Sequence, residues 1–144
     1  MNALAVLIDT NVLLDFLVDR GSFTKSAREI IKKSQEKTIN AFLAAHSVTN
    51  IFYILRKVYP ASERKQRLMD LCQSISIVEI GGEAILNVLA NNDFDDIEDC
   101  LQAECASAIN ADFIITRDSK DYAHSKIPAI SPEDFLEKLR VKAG

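Results

Sequence analysis

The chain reads AVLIDTNVLLD over residues 5–15, and this stretch decides the fold. Four apolar residues stop at Asp9, and helix-forming residues follow at once. The pattern is typical of a short buried strand, residues 5–8, that turns directly into a helix. Sites in open parallel sheets form just outside the carboxyl ends of the strands, so we expect the Asp9 carboxylate to face a crevice. The alternative is that Asp9 or Thr10 only caps the helix, since both residue types are good N-caps.

The composition is ordinary for a globular protein. The chain has 144 residues, of which 48% are apolar and 26% charged. This length can bury a sizeable core, and we expect a single domain over residues 1–144. No apolar run approaches the roughly 18 residues that cross a bilayer, and no secretory signal is evident at the start. We therefore expect a cytoplasmic protein without a membrane partner.

The cysteines and the net charge exclude several classes of function. Cys72, Cys100 and Cys105 do not have metal-binding spacing, so we expect reduced core residues. His46 and His124 lack the partners of a Ser-His-Asp or Cys-His arrangement. The net charge of −4 argues against a sequence-reading binder of duplex DNA. It does not argue against a nuclease, because a bound metal ion inverts the field of a carboxylate cluster.

Strand and helix patterns alternate along the chain. Thr24 and Ser47 are residue types that cap helices, and Pro132 suits a first helical position. This alternation predicts an α/β fold with a parallel sheet of about five strands covered on both faces. The expected strands are 5–8, most of 38–45, 75–80, 111–116 and 128–130, and the expected helices include 24–35, 62–74, 83–90 and 94–110.

Polar groups follow the ends of the predicted strands or open the next helix. Asp9 and Asp118 each come after an apolar strand, with Thr116 two residues before Asp118, and Asn50 falls in the first turn of a helix. Acids that open the helix over 94–110, Asp96 among them, favour the helix dipole and need no further role. Asp99 lies deeper, where the dipole benefit fades, so its presence calls for another reason.

A metal ion is the simplest reason for such a cluster. Carboxylates that converge on one crevice repel one another unless a cation lies among them. Hard oxygen ligands without His or Cys suit Mg²⁺ or Mn²⁺. Magnesium held by carboxylates keeps several waters, which suits the activation of a water against a phosphodiester. From the residues we expect metal-dependent phosphate chemistry, with Asp9, Asp99, Asp118 and Asp96 as candidate ligands.

Four short motifs resemble the PIN-domain nucleases, and in this order and spacing they are a specific signal. They are IDTNVLLD at residues 8–15, SVTN at 47–50, EDCLQA at 98–103, and ITRD at 115–118 with Asp121-Tyr122 following. The greatest similarity is to the small prokaryotic group that contains VapC-type toxins. The resemblance implies a three-layer α/β/α fold. By position, Asp9, Asp99 and Asp118 match acidic metal-site residues of the family, and Thr116 matches its site hydroxyl.

The resemblance also implies a function. It implies a Mg²⁺- or Mn²⁺-dependent endoribonuclease acting on single-stranded or structured RNA, often a homodimer and often inhibited by an antitoxin protein. One residue departs from the pattern: Asn50 stands where many members carry Glu. Asparagine brings no charge, so Asp96 or Glu98 would have to supply the missing oxygen. Otherwise the metal site is weak, or the chain is an inactive module that binds RNA or another partner.

Two other phosphate-handling folds fit less well. A phosphoacceptor receiver domain needs a Lys at the end of its fifth strand, and no Lys stands there. A haloacid-dehalogenase-type phosphatase needs Asp where Asn11 stands. For RNA we expect a local basic rim despite the negative total charge, although residues 64–67 alone are more typical of a solvated helix face. The candidate cations of the rim are Arg56, Lys57, Arg64, Lys65, Arg67, Arg117 and Lys120.

Overall fold

A computed structural model describes residues 3–143. It contains five strands, β1 (Ala5–Ile8), β2 (Asn40–Ala44), β3 (Ser76–Val78), β4 (Phe113–Ile115) and β5 (Ala129–Ile130). The helices are α1 (Thr10–Leu17), α2 (Ser22–Gln35), α3 (Ala45–Ile54), α4 (Ala61–Ser74), α5 (Gly82–Ala90), α6 (Ile97–Ala108) and α7 (Pro132–Ala143). Two 3₁₀ turns cover Leu55–Lys57 and Ser119–Tyr122. None of the helices in this part of the chain is both long and apolar enough to span a bilayer.

The strands form one parallel sheet in the order β3-β2-β1-β4-β5, with β1 at its centre. Alternate β1 side chains point to opposite faces. Val6 and Ile8 join an apolar cluster with residues of α1 to α4 and α7, whereas Leu7 joins a second cluster with residues of α6. Helices therefore cover both faces, and the expected three-layer α/β/α fold is confirmed.

Some element boundaries differ from the predicted ones. The helix expected over 94–110 begins only at Ile97, because Asp96 is its N-cap. Strands β3 and β4 are shorter than expected, since hydrogen-bonded pairing covers three residues in each. Pro132 does open α7, as predicted.

The predicted capping roles of Thr24 and Ser47 are wrong. α2 begins two residues before Thr24, after Gly21, whose φ of 67° is a left-handed conformation that suits glycine. The Thr24 hydroxyl instead donates to the Asp15 carbonyl at 2.6 Å and so ties α2 to α1. α3 begins at Ala45, which places Ser47 inside the helix with its side chain fully buried. A buried hydroxyl needs partners, and those of Ser47 lie beneath the candidate site.

Candidate active site

The centre of the site lies where β1 and β4 end side by side. Ile8 is in register with Ile115, so Asp9 and Thr116 are neighbours one residue beyond the paired strands. The fully buried Thr116 hydroxyl donates to Asp9 Oδ2 at 2.8 Å. Burial raises the pKa of Asp9, while its hydrogen bonds from Thr116, Tyr122 and the Thr10 backbone act in the opposite direction. The sheet therefore holds this carboxylate in a fixed position at its carboxyl edge.

Asp9 is also a helix cap. Its Oδ1 accepts a hydrogen bond from the Thr10 backbone N–H at 2.7 Å, at the N-terminus of α1. The two interpretations offered for Asp9 are thus compatible, because one oxygen caps the helix while the other faces the strand ends. Capping fixes the carboxylate direction and leaves Oδ2 for the groups across the crevice.

Tyr122 links Asp9 to Asp99, a role that its place in the sequence does not predict. Its hydroxyl lies 3.0 Å from Asp9 Oδ2 and 3.5 Å from Asp99 Oδ1. Burial, followed by the charges of Asp9 and Asp99, raises the pKa of the phenol further above its usual range, so it remains a donor. The available signal was the Asp121-Tyr122 pair after strand β4, but an aromatic residue there is equally typical of a core.

Asp99 lies in a field of like charge. Partial burial and then the carboxylates of Asp96, Asp9, Asp121 and Glu98 raise its pKa to about 7. An open cavity of about 420 Å³ lies beside it. The cavity is lined by Asp93, Phe94, Asp95, Asp96, Asp99, Lys120, Asp121, Ala123 and His124. A cation in this groove would relieve the repulsion that raises the Asp99 pKa.

The two remaining acidic candidates have other partners. Asp118 is exposed, its Oδ2 accepts from Asn11 Nδ2 at 3.2 Å, and its backbone N–H donates to Thr116 Oγ1 at 3.1 Å. It is thus connected to Asp9 through Thr116. Asp96 Oδ1 accepts from the backbone N–H groups of Glu98, at 2.7 Å, and Asp99, at 3.4 Å. This oxygen caps α6, and a role of Asp96 as a metal ligand stays a prediction.

A buried polar network lies below the acids. The Thr10 and Ser47 hydroxyl oxygens are 2.8 Å apart, and Gln102 Nε2 donates to both, at 3.1 and 3.0 Å. The Thr10 hydroxyl in turn donates to Glu98 Oε1 at 3.1 Å. α1, α3 and α6 are therefore joined under the site. Glu98 is the acid that this network orients. From the sequence, Glu98 is expected only as a substitute for the charged oxygen that Asn50 lacks.

Asn50 lies on α3 with a half-buried side chain. Among residues 3–143 no hydrogen bond joins it to Asp9, Asp99 or Asp118. It is one helical turn from His46. Burial lowers the pKa of His46, and the charge of Glu98 acts in the opposite direction without cancelling that effect. Asn50 thus shares a helix face with His46, and its role in the site stays a prediction.

The donor set fits a hard divalent cation. Within residues 3–143 no three His, Cys, Asp or Glu side chains converge closely enough to form a ready-made metal site. Mg²⁺, however, is commonly bound through one or two carboxylates and several waters. Asp9 and Asp99 share the Tyr122 hydroxyl, and in the described part of the chain no salt bridge neutralises either of them or Asp118. Their oxygens are the groups that could hold such an ion.

The expected basic rim is only partly available. Arg64 donates to the backbone carbonyls of Phe52 and Tyr59, and Arg67 forms a salt bridge with Glu63. Arg117 forms an ion pair with a buried carboxylate on α1. Three of the predicted cations are therefore engaged within the fold.

An α/β/α sandwich with acids at the carboxyl edge of a parallel sheet defines the class of protein. A profile of the PIN domain matches residues 5–120, and the chain belongs to that family. A comparison with curated protein sequences gives no match.

Solved structures share the fold at low sequence identity. DNA-bound VapBC from Salmonella typhimurium matches with a TM-score of 0.70 and 11% identity over 90% of this chain and 98% of that one. VapBC2 from Rickettsia felis, bound to a DNA fragment from its promoter, has a TM-score of 0.67 and 12% identity over 89% and 98%. VapC20 of Mycobacterium tuberculosis, a toxin that cleaves the sarcin-ricin loop, matches with a TM-score of 0.59 and 8% identity over 76% of this chain and 86% of that one.

Proposed function

We propose that the chain is an endoribonuclease that depends on Mg²⁺ or Mn²⁺ and cleaves RNA phosphodiesters. The observation that carries the proposal is the pair of carboxylates, Asp9 and Asp99, that share the hydroxyl of Tyr122 at the carboxyl edge of the sheet. The pKa of Asp99 is raised to about 7 by partial burial and by four neighbouring carboxylates, and a cation bound there would relieve that repulsion. Membership of the PIN domain family supports the same chemistry.

In this proposal Asp9, Asp99 and Asp118 hold the ion. When bound, such an ion supplies a more acidic water and neutralises charge on the phosphate. Thr116 and Tyr122 donate to Asp9 Oδ2 and so fix its direction. Asn11 does the same for Asp118. Their contribution is positioning, which limits the reorganisation needed when substrate arrives.

We further propose a role as the toxin of a toxin-antitoxin pair, with an antitoxin protein as inhibitor and a homodimer as the assembled form. The support is the fold shared with VapBC structures and with a toxin that cleaves the sarcin-ricin loop. The proposed setting is the cytoplasm, which holds cellular RNA and keeps thiols reduced. Cys72, Cys100 and Cys105 are free, as that setting requires.

A second candidate is an RNA-binding or interaction module of the same fold with weak or no catalysis. The specific observation in its favour is Asn50, a neutral residue of α3 that forms no hydrogen bond with Asp9, Asp99 or Asp118 among residues 3–143. Both oxygens of Asp9 also accept hydrogen bonds from within the chain. Metal-dependent cleavage separates the two candidates.

The test is incubation of the purified protein with end-labelled single-stranded RNA in Mn²⁺, Mg²⁺ or chelator. We expect cleavage in either metal and none in chelator. Asp9→Asn and Asp99→Asn should each abolish cleavage, and Asp99→Asn should do so without loss of thermal stability, because it relieves repulsion between like charges. Asp70→Asn is the control, since Asp70 is exposed on α4 and contacts Gln66 at 2.9 Å.

Cleavage that persists in chelator, or in both site variants, would overturn the metal assignment and point to a contaminating nuclease. Binding of RNA without cleavage in any metal would favour the second candidate. The Asp70→Asn control should match the wild type in both activity and melting temperature.

A further inference from the structure

An exposed ridge lies at the end of α3 and in the 3₁₀ turn that follows. We call it the Tyr53 ridge. Three large apolar side chains project from it, Tyr53 at 62%, Ile54 at 44% and Val58 at 51% exposure. Its other members, Arg56 and Lys57, are exposed cations. The ridge thus combines an aromatic ring, aliphatic surface and positive charge.

Arg56 and Tyr53 form a stacked pair. The guanidinium carbon of Arg56 lies 3.8 Å from the centroid of the Tyr53 ring, and its Nη1 donates to the Tyr53 carbonyl at 3.0 Å. A guanidinium has five N–H donors, so this bond leaves most of them available. Tyr53 remains 62% exposed in the presence of this stack, so much of its side chain is open to solvent. Arg56 is therefore positioned beside a flat aromatic surface.

The neighbouring stacks are different. Arg64 lies over Phe52 and Arg67 over Tyr59, at 4.1 and 4.0 Å. Arg64 is held by two backbone carbonyls, and Arg67 by Glu63. These stacks pack α4 against Phe52 of α3 and against Tyr59 in the segment before α4. Arg56, by contrast, forms no salt bridge in the part of the chain that the structure describes.

The ridge lies on the helix whose first turn is near Glu98. Residues four and seven positions apart share a face of an α-helix, so His46, Asn50 and Tyr53 form one stripe along α3. The charge of Glu98 acts on His46 at the start of the stripe. Tyr53 is about 10 Å further along the helix axis, from a rise of about 1.5 Å per residue. The ridge therefore lies on the same helix face as the end of α3 that is near Glu98.

We propose that the Tyr53 ridge holds single-stranded RNA next to the bond that is cleaved. A base stacks on the exposed Tyr53 side chain, and Arg56 and Lys57 contact phosphates on either side. Aromatic rings beside basic residues are the usual means of binding single strands without sequence preference. RNA fits better than a protein partner because the ridge is cationic in a chain of net charge −4. This inference rests on the proposed function, since it names how the same substrate is held.

The first test measures RNA affinity in chelator, so that the probe stays intact. The probe is a fluorescein-labelled single-stranded oligoribonucleotide of mixed sequence, and the measurement is anisotropy over a range of salt concentrations. Tyr53→Ala should weaken binding by at least about fivefold, while Tyr53→Phe should bind like the wild type. Arg56→Gln should make the slope of log affinity against log salt concentration shallower by about one. Tyr53→Ala should leave that slope unchanged. Arg140→Gln is the matched control, on α7.

The second test uses fluorescence. The chain contains no Trp, so Tyr53→Trp introduces a single emitter on the ridge. Stacking of a base on that ring should quench its emission in proportion to the RNA bound. Quenching with the same affinity as the anisotropy curve supports the proposal. Unchanged emission while RNA binds overturns it.

The remaining outcomes separate this proposal from the proposed function. Wild-type affinity in both Tyr53→Ala and Arg56→Gln overturns the ridge but leaves the nuclease proposal intact. Failure of the wild type to bind or cleave RNA overturns both. Sedimentation of each variant tests a second copy of the chain as the occupant. A dimer that Tyr53→Ala dissociates, with RNA affinity unchanged, would make the ridge an interface between copies and overturn the proposal.

Discussion

Arg117 and Asp15 form a two-pronged ion pair behind the site. Arg117 Nε lies 2.8 Å from Asp15 Oδ2, and Nη2 lies 3.3 Å from Oδ1. The Asp15 side chain is 1% exposed, and Arg20 supplies a second, longer contact at 3.3 Å. Arg117 also lies over the ring of Phe23 at 4.3 Å. Since Arg117 separates Thr116 from Asp118, this pair anchors the loop that carries both site residues.

Arg117→Ala should lower the free energy of unfolding by about 2 kcal/mol. The variant leaves Asp15 buried with one partner, and breaking a fully buried pair costs about 3–5 kcal/mol. Arg20 offsets part of that cost. Urea unfolding at neutral pH measures the loss.

Arg140→Ala is the control for that comparison, because the Arg140–Glu137 pair is highly exposed, with side chains 71% and 62% accessible. Exposed pairs contribute about 0–1 kcal/mol. Equal losses in the two variants would contradict an anchoring role for the buried pair.

The protein should become less stable as pH rises through the range that Asp99 titrates. Partial burial and neighbouring carboxylates raise the pKa of folded Asp99 to about 7, against 3.8 for the unperturbed group. Between these values the folded state binds a proton that the unfolded state has lost, so stability falls with increasing pH. Asp99→Asn should flatten the curve of unfolding free energy between about pH 4 and 7, measured in urea at fixed ionic strength. An unchanged curve would show that Asp99 titrates normally.

Metal binding should release protons at mildly acidic pH. Below about pH 7 the Asp99 carboxyl is largely protonated in the metal-free protein, and a cation binds its charged form. Calorimetric titration with Mn²⁺ at pH 6, in two buffers of different ionisation enthalpy, should therefore give different apparent heats. The difference should vanish near pH 8, where the proton has already left. Equal heats in both buffers at pH 6 would contradict binding at Asp99.

Tyr122→Phe should destabilise the protein by about 1 kcal/mol or slightly more, because Asp9 loses a buried donor. The loss should be smaller in an Asp9→Asn background if the hydroxyl acts through that carboxylate. The wild type, the two single variants and the double variant form a double-mutant cycle, which thermal and urea unfolding measure. Tyr59→Phe is the matched control. The Tyr59 hydroxyl donates to the Leu17 carbonyl at 3.2 Å, so the destabilisation caused by Tyr59→Phe should be the same with Asp or Asn at residue 9.

The sequence predicted the order of elements and the edge of the sheet where the acids gather, because both follow from local periodicity. Asp9 comes directly after a buried strand, and the same reasoning located Thr116 and Asp118. Contacts between segments that are far apart in the sequence do not follow from local periodicity. Thr10, Ser47 and Gln102 meet only when three helices pack, and nothing in the spacing of Tyr122 shows that its hydroxyl reaches two carboxylates. Ser47 was misassigned because a hydroxyl near a helix start suits a cap as well as a buried network.

Asn50→Glu should tighten Mn²⁺ binding. Asn50 is half-buried on the same face of α3 as His46, on which the charge of Glu98 acts, and in the proposed site a carboxylate there adds a charged oxygen ligand. It also adds repulsion within the metal-free site, so the metal-free variant should be somewhat less stable at pH 8. For a divalent ion the gain from an extra charged ligand should exceed that repulsion.

Calorimetry with Mn²⁺ at pH 8, together with cleavage of labelled RNA, measures both effects. Asn50→Gln is the control, because it has the length of Glu without its charge, and it should bind Mn²⁺ like the wild type. If Glu98, which Thr10 holds at 3.1 Å, already supplies the missing oxygen, the added Glu should crowd the site and affinity should fall. Removing that oxygen with Glu98→Gln should then restore the gain from Asn50→Glu. Affinity and cleavage that stay unchanged in Asn50→Glu, with or without Glu98→Gln, would place residue 50 outside the site.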